Sequence, residues 1–586
     1  MDNITLARLL DETASLLEID AADVFRVRSY RRAAEAVEQQ TASLAGMVDD
    51  PKQLLAIAGI GKAMAANIVD LVQTGTMPLR TELLTKYKAS MLELLRLPSM
   101  GPKTVALLWS ALQIADMDAL EAAAKAGQLD ALPRFGKKQV DKILKGIDDH
   151  RKNAGRFRID DAEATAERIA LLLRAFPGIE TITPAGSLRR GRETVGDLDL
   201  LVTGPACEAD VVAAAVEYVA SLLLIDTLLA KGQNKVSFTL RNNLQVDVRL
   251  LPRASYGAAL QYFTGSKMHN VTLRQRALKR GYTLSEYALA RIDAAEGESA
   301  IVAAGSEEEI YAALGMQYIA PELRENSGEL EAAAAGTLPQ LITLADIRGD
   351  VHMHTVATDG RNTIREMAEA AAERGLRYIA ITDHSKNLAM TNGLDDARAR
   401  EHVARIREVD AEMDGTIRVF AGIEVDILQD GSLDLEDETL QQMDVVVGSV
   451  HSHFGLEPKD MTERLMRAIE NPYLRILGHP TGRILLRRDA YAYDMDAVLK
   501  RCAGLGVAVE HNAAPARADL SDLNLRKAKS HGCKISVNTD AHTTGELRLM
   551  RYGITQLRRA WLTRADVINT LDAADFLKAL RPRPAV

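Results

Sequence analysis

Cysteine is almost missing from this chain of 586 residues: Cys207, Cys502 and Cys533 are the only three, and they stand far apart. That spacing excludes a disulfide framework and a CxxC metal site, and it suits a reducing compartment, so a cytoplasmic location is expected. No apolar run approaches the roughly 20 residues of a membrane span. The opening MDNITLARLLDETASLL carries acids where a signal peptide would have a basic and then an apolar stretch, so no membrane partner is expected. An excess of basic charge is also missing, with a net charge of −2 over residues 1–320 and −7 over residues 321–586. Any contact with nucleic acid must therefore use local basic patches. What remains is ordinary for globular protein, 47% hydrophobic and 26% charged, and the length predicts three to five domains at roughly 150 residues each.

Histidine is unevenly spread, ten of the twelve lying between His352 and His542. The rest of the chain is organised in blocks. Over residues 1–150, LLAIAGIGKAMAANIVDLV, LLRLPSMGPKTVALLWSAL and ALPRFGKKQVDKILKGI each set an apolar helix, a glycine turn, a lysine and a second apolar helix. A plain αα-hairpin has this look. Repeated, it suits sequence-independent backbone binding, because a glycine turn leaves N–H groups at a helix N-terminus to meet a phosphate. Gly59, Gly61 and Gly101 are the DNA-binding candidates there. Residues 156–320 mix helices with strand-like runs (ITPAGS, DLDLLVT, KVSFTL, LQVDVRLL). Residues 321–348 read as a linker with some helix.

From residue 349, seven short apolar runs alternate with amphipathic stretches: GDVHMHT, RYIAITDHS, RVFAGIEVDI, DVVVGSVHSH, LRILGHP, GVAVEHN and KISVNTDAH. That alternation predicts a parallel barrel, and each run carries its His, Asp or Glu at the C-terminal end, where such a barrel gathers a site.

In GSLRRGRETVGDLDL, Asp197 and Asp199 fall on one strand face, and Asp247 sits in a run that suits a neighbouring strand. Spacing alone leaves an exposed sheet edge or loop open. Carboxylates this close are stabilised by cations, and a pair of Mg²⁺ ions would serve in-line phosphoryl displacement. Ser187, Arg189, Arg190 and the glycine N–H groups around them suit a triphosphate, and the aromatics and bases of residues 256–289 suit a nucleotide and a template.

Residues 1–320 resemble the family X DNA polymerases, carrying in order the helix-hairpin-helix module, GSLRRG with GDLD, KGQNK, the third Asp and YFTGS. The resemblance implies that Asp197, Asp199 and Asp247 are catalytic and hold the metals. It implies that Ser187, Arg190 and Gly196 hold the triphosphate. Tyr262, Phe263, Gly265 and Asn270 would line the nucleotide pocket, and Lys235 and Arg274 would meet DNA. Two positions depart from the family: Asn67 stands where lyase members have a Schiff-base lysine, and Gln245 where polymerase beta has an arginine. Lyase action is therefore not expected, although Arg26, Arg28 and Arg31 keep a phosphate-binding role. Gln245 should only tune activity.

In the last block, His402 and His531 read as ordinary structural histidines. His352 and His354 share a face, and imidazole with carboxylate, without thiolate, suits Zn²⁺, Mn²⁺ or Fe²⁺. Residues 349–575 resemble the polymerase and histidinol phosphatase (PHP) domain through HMHT, TDHS, GIEVDI, SVHSH, GHP and TDAH. The implied ligands are His352, His354, Asp359, His384, Glu424, His451, His479, Asp540 and His542, holding up to three Mn²⁺ or Zn²⁺ ions. His453 and His511 are extra, read either as near the site or as plain rim residues.

Together the signatures predict a multidomain α+β and α/β protein. Its expected parts are a helix-hairpin-helix region over 1–150, a nucleotidyltransferase palm over 151–255, a thumb-like subdomain over 256–320 and a (β/α)7-type PHP barrel over 349–580. The expected enzyme is a monomer that fills gapped or nicked DNA from dNTPs with Mg²⁺ in base excision repair. Its barrel would act as a 3′–5′ exonuclease, with abasic-site endonuclease or 3′-phosphatase action also implied. The competing expectation is a small-molecule phosphoesterase of histidinol-phosphatase type with a non-catalytic DNA-binding N-terminal half.

Overall fold

Glycine-punctuated apolar stretches build the first part of the protein, and each becomes a short helix. A computed structural model describes residues 3–38, 44–48, 50–57, 59–95, 97, 100–133, 135–153, 155–295 and 299–581. It divides into two units, Met1–Ala154 and Gly155–Val586. The described residues of the first unit form helices and turns around a core that includes Leu10, Leu17, Ile68, Leu71, Leu108 and Ile143. Helices Lys62–Thr74 and Pro102–Leu112 start directly after Gly61 and Gly101, extended N-cap residues that offer no side chain to the first-turn N–H groups. Gly59 has φ +96°, and a Cβ there would come within 3.3 Å of the Ala36 Cβ, so both backbone and space require glycine. Ala58, Pro98, Ser99 and Arg134 of the three turns lie outside the described residues.

The second unit begins with a five-stranded sheet. Its strands are β1 (Thr181–Pro184), β2 (Asp197–Thr203), β3 (Thr227–Lys231), β4 (Lys235–Thr239) and β5 (Gln245–Leu250), in spatial order β1-β2-β5-β4-β3. Only the β2–β5 pair is parallel, and it is central. Leu198, Leu200, Val202, Val246, Val248 and Phe238 point to the buried side with helices Ile159–Arg174 and Val212–Ala220, while Asp197, Asp199 and Asp247 take the alternate positions. Helices Tyr256–Thr264 and Lys267–Lys279 follow, then a small antiparallel sheet of β6 (Tyr282–Leu284), β7 (Leu289–Arg291) and β8 (Ile301–Ala303).

The expected linker is shorter than its composition suggested. Leu323, Leu330 and Ala333 are buried in the same core as Leu273 and Tyr311, and the Arg324 side chain is fully enclosed. The helix expected within the linker is Glu329–Ala335, whose apolar side closes that core.

The barrel strands are β9 (Gly349–Asp350), β10 (Tyr378–Ile381), β11 (Arg418–Asp426), β12 (Val445–Ser449), β13 (Ile476–Leu477), β14 (Ala508–Asn512) and β15 (Ile535–Asn538), all parallel and in sequential order. Nearly every residue of these strands is buried, as expected where helices cover a parallel sheet. The first and last strands meet just beyond their ends. The His354 N–H donates to the Ala541 carbonyl at 2.8 Å and the Asp540 N–H to the His352 carbonyl at 2.9 Å. The circle is therefore nearly closed on the side where the histidines stand. No described helix is long and apolar enough to cross a membrane.

Two candidate metal centres

Strand register assembles the first centre. Across the parallel β2–β5 pair Asp199 lies opposite Asp247 and Asp197 opposite Gln245. On the other side of β5, Ser237 lies opposite Asp247. Burial, together with the charges of Asp197 and Asp247, pushes the Asp199 carboxyl up to about 7. Burial also acts to raise Asp247, but the Ser237 hydroxyl, the Lys235 ammonium 2.9 Å away and Arg249 hold it below its ordinary value. Among the described residues, Asp247 Oδ1 and Ser187 Oγ are buried without a hydrogen-bond partner. Crowded carboxylates, one poised near neutrality, with an orphaned oxygen, fit hard divalent cations.

The loop before them is pressed onto the acids. Gly186 has φ +57°, and a Cβ there would lie 2.7 Å from Asp199 Oδ2. Only glycine allows the short turn Gly186–Arg189 to approach this closely. The two arginines divide. Arg189, expected to face the triphosphate with Arg190, instead forms a bidentate pair with Glu307 (2.8 and 2.6 Å) and donates to the Thr264 hydroxyl at 2.6 Å. A second buried guanidinium, Arg324, grips the same carboxylate at 2.5 Å, so Arg189 joins this sheet to the following subdomain. Arg190 donates to the Thr264 carbonyl at 2.6 Å and to Glu325 at 3.1 Å, and its guanidinium lies beside Gly265.

Tyr262 and Phe263 meet edge to face, with Arg274 over the first ring at 4.7 Å and Arg249 over the second at 4.1 Å. Asn270 donates to the Tyr262 carbonyl at 2.6 Å and accepts from Gln261 at 2.9 Å. Arg190, Tyr262, Phe263, Gly265 and Asn270 are thereby linked through neighbouring contacts. Gly196 directly precedes Asp197 at the start of β2. Lys235, expected on the DNA backbone, is drawn onto Asp247.

Carboxylates at strand ends organise the second centre. Glu424 on β11 is buried beneath five imidazoles: its Oε1 lies 3.4 Å from His352, 3.3 Å from His451 and 2.9 Å from His479, and its Oε2 2.8 Å from His384 and 3.7 Å from His354. Asp540 Oδ1 lies 3.0 Å from His354 Nε2, and Asp359 Oδ2 lies 3.6 Å from His384 and 3.5 Å from His542. Three sets of donors are compact enough for an ion: His354 with Asp359, His384 and His542; His352 with His354 and Glu424; and His384 with Glu424 and His451. His479 and Asp540 border these sets. The nine expected positions are in one place.

The carboxylates and imidazoles of the rim shift one another's charge. Burial opposes charge throughout, yet the imidazoles hold Glu424 well below its ordinary value. Despite burial, Glu424 and Asp359 push His384 up to about 10, and Asp359 and Asp540 push His542 up to about 9. Burial with the neighbouring His384 and His542 drives His354 down to about 4. His352 Nε2, His354 Nδ1 and His479 Nδ1 are buried without a hydrogen-bond partner among the described residues. The donor set fits divalent ions of imidazole preference.

Matches to family models cover a helix-hairpin-helix domain at residues 1–77, a SAM-like helix-hairpin-helix tandem at 91–149, a DNA polymerase beta thumb at 259–325 and a PHP domain at 350–507. The DNA polymerase/3′-5′ exonuclease PolX of Bacillus subtilis (strain 168) is 36% identical over 578 residues, 98% of this chain and 99% of the relative. The chain belongs to the PolX family. A probable phosphatase of Syntrophotalea carbinolica is 30% identical over 39% of the chain and 95% of its own length. Likeness to the phosphatases is confined to the barrel, so a phosphoesterase reading leaves the rest of a PolX chain unaccounted for. A solved Leishmania infantum polymerase beta, titled a ternary P/T complex, is 24% identical with a TM-score of 0.27, covering 40% of this chain and 98% of that one. So distant a likeness carries no weight for the site.

Three residues around the PolX barrel centre escaped the sequence reading: Glu510, Asp426 and Arg517. Glu510 accepts from His352 Nδ1 at 2.7 Å and from the His479 N–H at 2.7 Å, and Asp426 holds His451 Nδ1 at 2.5 Å. These bonds fix each ring's other nitrogen toward the centre. Strand parity could have found both: Asp426 is two residues from Glu424, and in VEHN the inward position belongs to Glu510. His511 faces the other way, buried with Nδ1 against the Leu520 carbonyl at 2.8 Å, and His453 is exposed beside Ser452. Asp383 accepts from Thr355, Thr358 and His402, which accounts for His402 structurally, and His531 pairs with Asp496. Arg517, 3.4 Å from Asp540, comes from a loop with no sequence signal.

Proposed function

We propose that this PolX chain fills short gaps in DNA from dNTPs at the sheet centre, and degrades 3′ ends at the barrel centre as a 3′–5′ exonuclease. The observation that carries the reading is the presence, in one chain, of Asp199 opposite Asp247 with Asp197 on the same strand face, and of three compact His/Asp/Glu donor sets on the barrel rim. Asp197, Asp199 and Asp247 are the Mg²⁺ ligands of the first centre. The nine rim residues hold Mn²⁺ or Zn²⁺ in the second. Ions bound there supply Lewis acidity toward phosphoryl oxygens.

The chain's own groups do the rest. The Ser187 hydroxyl and the glycine N–H groups donate to the triphosphate, and Arg190 supplies positive charge beside it. Tyr262 and Phe263 offer flat faces to the sugar and base, and the Gln261–Asn270 hydrogen bond orients the Asn270 amide on that pocket. Ser237 and Lys235 keep Asp247 ionised, and Asp247 helps activate the primer hydroxyl. Gly59, Gly61 and Gly101 turn helix N-termini toward the DNA backbone. Asn67, engaged with the Tyr30 hydroxyl at 2.8 Å, has no amine to form an imine at that position. Abasic-site or 3′-phosphatase action at the barrel, a monomeric state and a cytoplasmic location belong to the same proposal.

Gap filling and 3′-end degradation by Asp247→Ala and Asp540→Ala proteins test it. Each substitution is expected to abolish one activity and leave the other at its original rate. Retention of both activities by both proteins would refute the assignment.

A further inference from the structure

The barrel domain reaches the loop of the other centre. Its helix Met550–Arg559 lies against residues 186–191, with Tyr552 buried in the core of the five-stranded sheet. Gln556 Nε2 donates to the Gly191 carbonyl at 2.7 Å, and Arg559 Nη1 to the Arg190 carbonyl at 2.6 Å. Gly191, with φ +67°, permits this approach, since a Cβ there would collide with Thr555. The Arg559 side chain is only 2% exposed and is also anchored by Asp522 at 2.7 and 3.0 Å.

Glu325 ties the two domains a second time. Its Oε1 is shared by Arg190 at 3.1 Å, Arg559 at 3.1 Å and Arg192 at 3.9 Å. Three guanidiniums thus face two carboxylates, Glu325 and Asp522, leaving one positive charge in excess beside the loop. If Arg559 did not draw on Glu325, that carboxylate would be left to Arg190 and the more distant Arg192, and a buried Arg190 would have less to offer an anion.

We propose that Arg559, supported by Gln556, is a positioning residue by which the barrel domain sets the affinity of the polymerase centre for the incoming nucleotide. It holds the 190–191 carbonyls and shares the counter-charge of Arg190. This rests on the reading of residues 186–191 as the triphosphate cradle.

Steady-state gap filling by the full chain tests it, with KM for dNTP and kcat measured separately alongside 3′-end degradation. Arg559→Leu is expected to raise KM about tenfold with kcat changed less than about twofold and degradation unchanged, the signature of lost substrate binding. Arg559→Lys, keeping one donor, should fall between. Arg551→Ala is the control, because it breaks the same interface at Glu163, away from the loop. It should leave KM unaltered. In an Arg190→Ala background, Arg559→Leu should add nothing.

An unchanged KM in Arg559→Leu overturns the proposal. So does an equal rise in Arg551→Ala, or a parallel loss of degradation. If Arg190→Ala itself leaves KM unchanged, the cradle reading fails. If Arg190→Ala raises KM and Arg559→Leu does not, the cradle stands and the role of Arg559 falls.

Discussion

The two centres are built on different principles. At the sheet centre, the ligands come from two neighbouring strands, Asp197 is exposed, and the supporting cations Lys235 and Arg249 lie on the same small sheet. At the barrel centre, ligands arrive from the ends of six strands, and His352, His354 and Glu424 have almost no surface. One site is an open patch that a substrate must complete. The other is a finished cage whose parts already oppose one another. A local change should therefore stay local at the sheet and propagate at the barrel.

Glu424 gives the sharpest contrast. Glu424→Gln removes the charge that five imidazoles share, and 3′-end degradation should drop by about 10³-fold while gap filling is untouched. A parallel fall in gap filling would mean the cage is not independent of the sheet.

Next comes the joint between sheet and thumb. Glu307→Gln leaves Arg189 and Arg324 without their shared carboxylate and should lower stability by about 3–5 kcal/mol, read from denaturant unfolding. Burial opposes ionisation of Glu307, but the two arginines hold it down at about 2. Its folded value is thus below the unfolded value of about 4.3. Its contribution is complete above about pH 4.3 and is lost as pH falls through about 2. The original chain should show this acid-side loss and Glu307→Gln should not.

Glu510→Gln keeps the shape around His352 but weakens its acceptor. Ion affinity of the barrel, measured by titration with Mn²⁺ or Zn²⁺, should decrease about 10- to 100-fold. An unchanged affinity would show that ring orientation is set by packing instead.

Gly186→Ala meets both a positive φ and Asp199 at 2.7 Å. It should cost about 1–3 kcal/mol and reduce kcat/KM for gap filling, leaving the barrel unaffected. The smallest effect belongs to Gln245→Arg. The exposed position opposite Asp197 accepts the longer side chain, and gap filling should change by no more than about fivefold, near what one exposed ion pair contributes.

Much of this molecule was readable from residue order because the relevant physics is local. Alternation put Asp197 and Asp199 on one face, and apolar runs ending in His, Asp or Glu marked all seven barrel strands. Glycines before Lys62 and Pro102 announced helix starts. Where composition substituted for periodicity, the reading slipped, since the helix expected within the 321–348 linker packs into the preceding core. It also slipped where two adjacent residues were given one role, since a turn sends Arg189 to Glu307 and Arg190 to Glu325.

The sequence alone determined the strand and helix types, the glycine turns and the ligand chemistry, because each depends on steric rules or donor types carried by a few consecutive residues. Only the tertiary structure decided that Asp199 lies opposite Asp247, that Glu510 rather than His511 turns toward the cage, and that Arg559 shares Glu325 with Arg190. Register, barrel closure and charge sharing join residues far apart in the chain. Their energies depend on distance in space, which residue order does not contain.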